Sequence, residues 1–205
     1  MADTAQQPRY VALGDSTGVG VGAHDGRGYA VRLYERLRAQ VPSLTFLNLC
    51  ESGSTAAMLV RYQLPRALRA NASLATVFIG TNDLLWGDVA SFQTATQRVA
   101  EALHEAGTRT LFCTLPNLLH APIASTPLVA AQQKQLESKV RQFNEHLRRV
   151  AQRDGHALLD LYGVGLADFP HFFSSDGFHP SADGYEELAN RLYETVQRLE
   201  LPLLR

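Results

Sequence analysis

The sequence predicts an α/β fold: a three-layer α/β/α sandwich with a five-stranded parallel sheet, flavodoxin-like in type. Two observations lead there. First, five short apolar runs alternate with longer amphipathic runs along the 205 residues. Such alternation closes through right-handed crossovers that cover both faces of a parallel sheet with helices. Second, hydrophobic residues make up 45% of the chain, enough to bury both faces of that sheet. No linker, repeat or low-complexity stretch interrupts the pattern, so residues 1–205 are expected to form a single domain.

The elements follow in order. "YVALGD" reads as the first strand. "YAVRLYERLRAQ" reads as a helix, with Val31, Leu33, Tyr34 and Leu37 spaced for one face and Pro42 marking its end. "LTFLNL" is the second strand. "STAAMLVRYQLPRALRAN" is helical, with a break or two short helices expected at Pro65, whose ring and missing N–H disrupt a helix interior. "LATVFIG" is the third strand, and its uniform apolarity suits a central place buried on both faces. "SFQTATQRVAEALHEAG" is a helix with Ser91 as N-cap and Gly107 just past its end. "TRTLFCTL" is the fourth strand, followed by the irregular "PNLLHAPIASTP". The longest helix is "LVAAQQKQLESKVRQFNEHLRRVAQRDG", closed by Gly155. "HALLDL" is the fifth strand, and a helix over "SADGYEELANRLYETVQRL", with Ser181 or Asp183 near its start, completes the pattern.

Composition removes several function classes. The formal net charge is -1 with both signs scattered, which argues against nucleic acid and against a polybasic membrane patch. No apolar run reaches the roughly 18 residues of a membrane span, so no stable membrane insertion is expected. The opening "MADTAQQP" lacks a basic region followed by an apolar one, and a cytoplasmic location is the expectation. Cys50 and Cys113 end apolar runs and read as buried, reduced thiols. The histidines other than His179 show no metal-ligand spacing; His104 and His146 read as solvated helix residues. No metal and no cofactor are expected.

In open parallel sheets, ligands sit beyond the carboxyl ends of the strands. There the sequence gathers Gly14-Asp15-Ser16, then "CESGST" with Gly53, then "GTND" with Asn82 and Asp83, and finally "SSDGFHPSADGY" with Asp176 and His179. A serine hydroxyl needs a base to become nucleophilic, and His179 can be that base. Asp176 can orient and compensate the imidazole across one local turn. The backbone N–H groups of Ser16 and Gly53 and the Asn82 side-chain amide are candidate donors to an oxyanion, with Gly53 allowing close approach. Singly, Ser16 reads as a turn residue, Gly53 as a tight turn and Asn82 as a loop satisfier. Asp15 and Asp83 are expected to brace backbone. His179 precedes Pro180, which holds it in an extended turn.

These four blocks resemble those of the SGNH hydrolases, the GDSL esterase and lipase family: "GDS", "ESGST", "GTND" and "DGFHPS", in the family's order from residue 14 to residue 180. The first block departs slightly, with Thr17-Gly18 where the family often has Leu or Ile. The resemblance implies a hydrolase with Ser16, His179 and Asp176 as a triad and Ser16, Gly53 and Asn82 as oxyanion hole. It does not choose a substrate. Short- to medium-chain acyl esters, small molecules, are the first expectation. Lysophospholipid or thioester cleavage and carbohydrate deacetylation are alternatives; an acyltransferase or a non-hydrolytic binding domain is the rival class. Leu118, Leu119 and Ile123, in the irregular segment, are candidates to line an acyl pocket or to form part of a lid over residues 116–127; packing over the core is the equal alternative. Trp86 and Phe178 are candidates to wall the pocket.

"GVGVGA", from Gly18 to Ala23, also fits a dinucleotide-binding G-x-G-x-x-A. That motif needs its first glycine directly after the strand, a helix opening at once and an acidic residue about 20 positions on. Asp15, Ser16 and Thr17 intervene, the next helix is expected near Gly28, and the acidic position falls near Arg38. The glycines are read instead as bending the loop away from Ser16.

Overall fold

The computed structural model describes residues 7–163 and 170–199. Its sheet consists of β1 (Arg9–Gly14), β2 (Thr45–Asn48), β3 (Leu74–Phe78), β4 (Arg109–Cys113) and β5 (Ala157–Leu159). All pairings are parallel, in the order β2-β1-β3-β4-β5. This is the flavodoxin-like order, as the alternation predicts. Every residue of β3 is buried, as expected of a central strand. On β1 the register pairs Ala12 with Asn48 on one side and with Thr76 on the other.

The helices are α1 (Ser16–Val19), α2 (Tyr29–Gln40), α3 (Ala56–Met58), α4 (Leu64–Arg69), α5 (Thr81–Trp86), α6 (Val89–Glu105), α7 (Pro127–Ala130), α8 (Gln133–Asp154) and α9 (Ala182–Gln197). α2 packs on α9, and α6 packs on α8 and α3. The chain steps outward from β1 to β2, then back across to β3, β4 and β5. Right-handed crossovers therefore leave α2 on one face and α6 and α8 on the other. The Phe92 and Phe143 rings stack at 3.8 Å between α6 and α8. Arg32 of α2 reaches Glu186 of α9 at 2.7 Å.

Several expectations change in detail. Of the break or two short helices expected at Pro65, the two short helices form, and the chain runs between them without a break. A π-helical turn, Leu59–Gln63, joins α3 to α4, with Leu64 N–H bonded to the Leu59 carbonyl. The wider turn absorbs the amide that Pro65 lacks. The N-cap of α6 is Asp88, not Ser91: Asp88 accepts from Ser91 N–H at 2.9 Å and from the Ser91 hydroxyl at 2.7 Å. The longest helix starts at Gln133, because the preceding segment forms the separate α7 and Gln132 leaves helical geometry. His146 is buried against Phe92, not solvated. Two short helices, α1 and α5, open directly at Ser16 and Thr81, where the sequence gives only polar strand ends.

Cys50 and Cys113 are free thiols, and burial pushes both above the ordinary thiol range. Among the described residues no helix is long and apolar enough to cross a membrane. Residues 1–6, on which the reading of the N-terminus partly rests, lie outside the described residues. For function, the consequence of this topology is one crevice. The chain leaves β1 toward β2 on one side and leaves β3 toward β4 on the other, so the connections diverge beyond the carboxyl ends of these two paired strands.

Candidate active site

Ser16 stands at that crevice. Asp15, buried, caps α1 by accepting from Thr17 N–H at 3.1 Å and from the Thr17 hydroxyl at 2.9 Å. Burial raises the Asp15 pKa, while these hydrogen bonds and His179 oppose the rise. The cap fixes Ser16 as the first residue of α1. The glycine loop behind it does not swing free. A Cβ on Gly22 would lie 2.7 Å from that of His179, so the loop packs directly against His179 and the Pro180 carbonyl. The Tyr185 hydroxyl holds the same loop through the Val21 carbonyl at 2.7 Å.

His179 arrives from a tight turn after β5. Phe173 bridges Pro180, and Ser174 N–H bonds the His179 carbonyl at 2.8 Å. Across 163 residues of sequence, His179 Nε2 lies 3.0 Å from Ser16 Oγ. Its Nδ1 lies 2.7 Å from Asp176 Oδ2. The other Asp176 oxygen accepts from the Ser174 hydroxyl at 2.8 Å, Phe178 N–H at 2.8 Å and His179 N–H at 2.9 Å. Partial burial works against the charge on Asp176, but the bonds from His179, Phe178 and Ser174 outweigh it and bring its pKa down to about 2. An ionised carboxylate is acceptor-only, so Nδ1 carries the proton. In the neutral imidazole Nε2 is then the acceptor for the Ser16 hydroxyl.

Three donors come from three strand ends. Among the described residues, the N–H groups of Ser16 and Gly53 donate to no protein acceptor. Gly53 is exposed with φ +80°, and a Cβ placed on it would meet nothing within 4 Å, so backbone conformation, rather than crowding, calls for glycine there. Asn82 Nδ2 donates to the Ser54 carbonyl at 2.9 Å, which uses one of its two hydrogens and fixes the amide plane. Asp83 braces the same turn: both carboxylate oxygens accept Ala56 N–H, at 3.1 and 3.0 Å. Burial pushes its pKa up to about 6, against the pull of the Ala56 bond.

One apolar cavity adjoins Ser16 and His179, and a second shares part of its lining. The nearer, about 70 Å³, touches Ser16, His179, Phe172 and Phe178. The farther, about 220 Å³, is lined by Leu84, Leu85, Leu119 and Ile123 among others. Thr81, Leu118 and Phe178 line both. Leu118, Leu119, Ile123 and Phe178 thus all face cavity space. The irregular segment is tied to the histidine turn by Ile123 N–H, which bonds the Gly177 carbonyl at 3.0 Å. Trp86 is a correction: α5 carries it past the site, it is 81% exposed, and it lines neither cavity. Among the described residues, no group of three or more His, Cys, Asp or Glu side chains is arranged to hold a metal ion.

Gln63 is a site residue that the sequence does not announce. It is fully buried beneath Gly14 and Ser54, on the π-helical turn. Arg61, Arg66 and Arg69 stand in the same helical run, so a glutamine among them gives no signal of its own before the fold is known.

Residues 12–187 match the family model described as GDSL-like lipase/acylhydrolase. The chain belongs to the GDSL-like lipase/acylhydrolase family. Membership makes it a hydrolase of the esterase and lipase kind, and it accounts for the order of the four sequence blocks. The chain is 24% identical over 210 residues to the uncharacterized protein YpmR of Bacillus subtilis (strain 168), covering 93% of this chain and 82% of that protein. Among solved structures it resembles a lipase/acylhydrolase from Enterococcus faecalis, with TM-score 0.74, 19% identity, and coverage of 94% of this chain and 96% of that one. It also resembles the psychrotrophic esterase EstA from Pseudoalteromonas sp., with TM-score 0.73, 17% identity, and coverage of 93% and 97%. At these identities the structural likeness speaks for the GDSL fold.

Proposed function

We propose that this GDSL-family hydrolase cleaves carboxylic esters of short- to medium-chain acyl groups through an acyl-enzyme on Ser16. The observation that carries the reading is the chain of hydrogen bonds from Asp176 through His179 to Ser16, at 2.7 and 3.0 Å, beside an apolar cavity. His179 Nε2 takes the hydroxyl proton as Ser16 Oγ attacks the acyl carbon. Asp176 holds the imidazole in the required tautomer and compensates the imidazolium. The N–H groups of Ser16 and Gly53 and the free hydrogen of the Asn82 amide receive the oxyanion. His179 then protonates the leaving alkoxide. Water repeats the sequence on the acyl-enzyme and frees the acid.

The acyl chain enters the nearer cavity and continues past Leu118 and Phe178 into the farther one, whose apolar lining suits methylenes. That continuity also favours a second reading, in which the ester or thioester belongs to an amphiphile such as a lysophospholipid. The test is a panel of p-nitrophenyl acyl esters from acetate to laurate, with lysophospholipid and acyl-thioester substrates beside it. The ester reading expects turnover that peaks within the short-to-medium range and is lost in Ser16→Ala. Hydrolysis surviving in Ser16→Ala would overturn it. Silence across the panel would favour a binding domain.

A further inference from the structure

We propose that Gln63 is a positioning residue that sets the oxyanion donors relative to one another. The inference rests on the hydrolase reading above and concerns a side chain that touches neither substrate nor Ser16. Gln63 Oε1 accepts from Gly14 N–H at 2.9 Å, and its Nε2 donates to the Gly14 carbonyl at 2.9 Å. The amide thus pairs with Gly14 as a neighbouring strand would. It does so where β1 outruns β2, whose last paired residue, Asn48, faces Ala12. The second Nε2 hydrogen goes to Ser54 Oγ at 3.2 Å.

Every hydrogen-bonding atom of the side chain is therefore used, and two site blocks are clamped by one group. Gly14 leads through the capped Asp15 to the Ser16 N–H. Ser54 follows Gly53 directly, and its carbonyl receives Asn82 Nδ2 at 2.9 Å. Glu51 N–H on the Gly14 carbonyl at 3.2 Å closes the same circuit from the other end of the turn. Among the described residues, removing Gln63 leaves the Glu51 N–H as the remaining hydrogen bond between the Gly14 backbone and the Gly53 turn. A misplacement of about 1 Å at reacting groups can cost about a hundredfold in rate.

The experiment compares wild type, Gln63→Met, Asn82→Ala and the double variant on p-nitrophenyl acetate, with folding checked by circular dichroism. Gln63→Met is expected to lower kcat by roughly 10- to 100-fold while KM moves less than about threefold. In the Asn82→Ala background the same change is expected to cost less than it does in wild type, because one of the three donors whose relative placement it sets is already gone. Equal losses in both backgrounds, or an unchanged kcat in folded Gln63→Met, would overturn the proposal. If Gln63→Met does not fold, Ser54→Ala removes the single bond between Gln63 and the Gly53 turn. It is expected to lower kcat several-fold with the same dependence on Asn82, and no loss would overturn the proposal. Wild type silent toward both the ester and an organophosphonate overturns the hydrolase reading and this inference together. An active wild type with unaltered variants overturns this inference alone.

Discussion

Asn82 commits one amide hydrogen to Ser54 and keeps one free, which is what a donor aimed at developing charge requires. Asn82→Ala is expected to lower kcat by roughly 10²–10³ with little change in folding, measured by steady-state hydrolysis beside thermal melts. Asp176 accepts four hydrogen bonds. Asp176→Asn would turn an acceptor into a possible donor toward Nδ1 and favour the wrong tautomer. A loss of kcat approaching 10⁴ is expected; an unaltered rate would mean that His179 works without it. At this scale the sequence is informative where a residue type has one chemical use. Ser16, His179 and Asp176 are recognisable because hydroxyl, imidazole and carboxylate in those blocks imply a proton path. Gln63 and the burial of His146 are not, since both depend on what a helix face meets in three dimensions. Trp86 misleads because nearness in sequence to the third block says nothing of exposure: it is the last residue of α5, where the helix ends at Gly87 and its ring stands in solvent.

The long elements are legible because their periodicity is strong. The short helices α1 and α5 are not: four and six residues are too few to show a helical period, and α1 rests on the Asp15 cap. The π-helical turn is legible only as trouble at Pro65, because a proline removes an amide without saying how the backbone will compensate. The segment around Leu118–Ser125 settles into 3₁₀ turns that wall the farther cavity. Ile123→Trp puts a larger side chain into the wall of this 220 Å³ cavity and narrows it. The expected outcome is a fall in kcat/KM for octanoate relative to acetate esters of at least about tenfold, in the manner of a blocked apolar pocket. An unchanged chain-length profile would remove this cavity from the acyl path.

For the molecule as a whole, two carboxylates give opposite pH dependences in separate windows. Asp83, raised to about 6, favours the folded state most when protonated. Its contribution is full below about pH 4 and is lost as pH rises through 6. Asp176, lowered to about 2, contributes above about pH 4 and loses that contribution as pH falls through 2. Asp83→Asn is therefore expected to gain Tm relative to wild type as pH rises from 4 to 6 and to hold that gain above 7. A difference flat across this range would contradict the raised pKa. The parallel order β2-β1-β3-β4-β5 brings the four blocks to one edge, which is why segments distant in sequence are readable as one site. The proposed catalysis at that edge rests on the reactivity of a single hydroxyl. The most direct test is mass spectrometry of the protein after reaction with a fluorophosphonate. One adduct per chain is expected, on Ser16, absent in Ser16→Ala and formed far more slowly in His179→Ala. An adduct on another residue, or none in a preparation that hydrolyses esters, would contradict it.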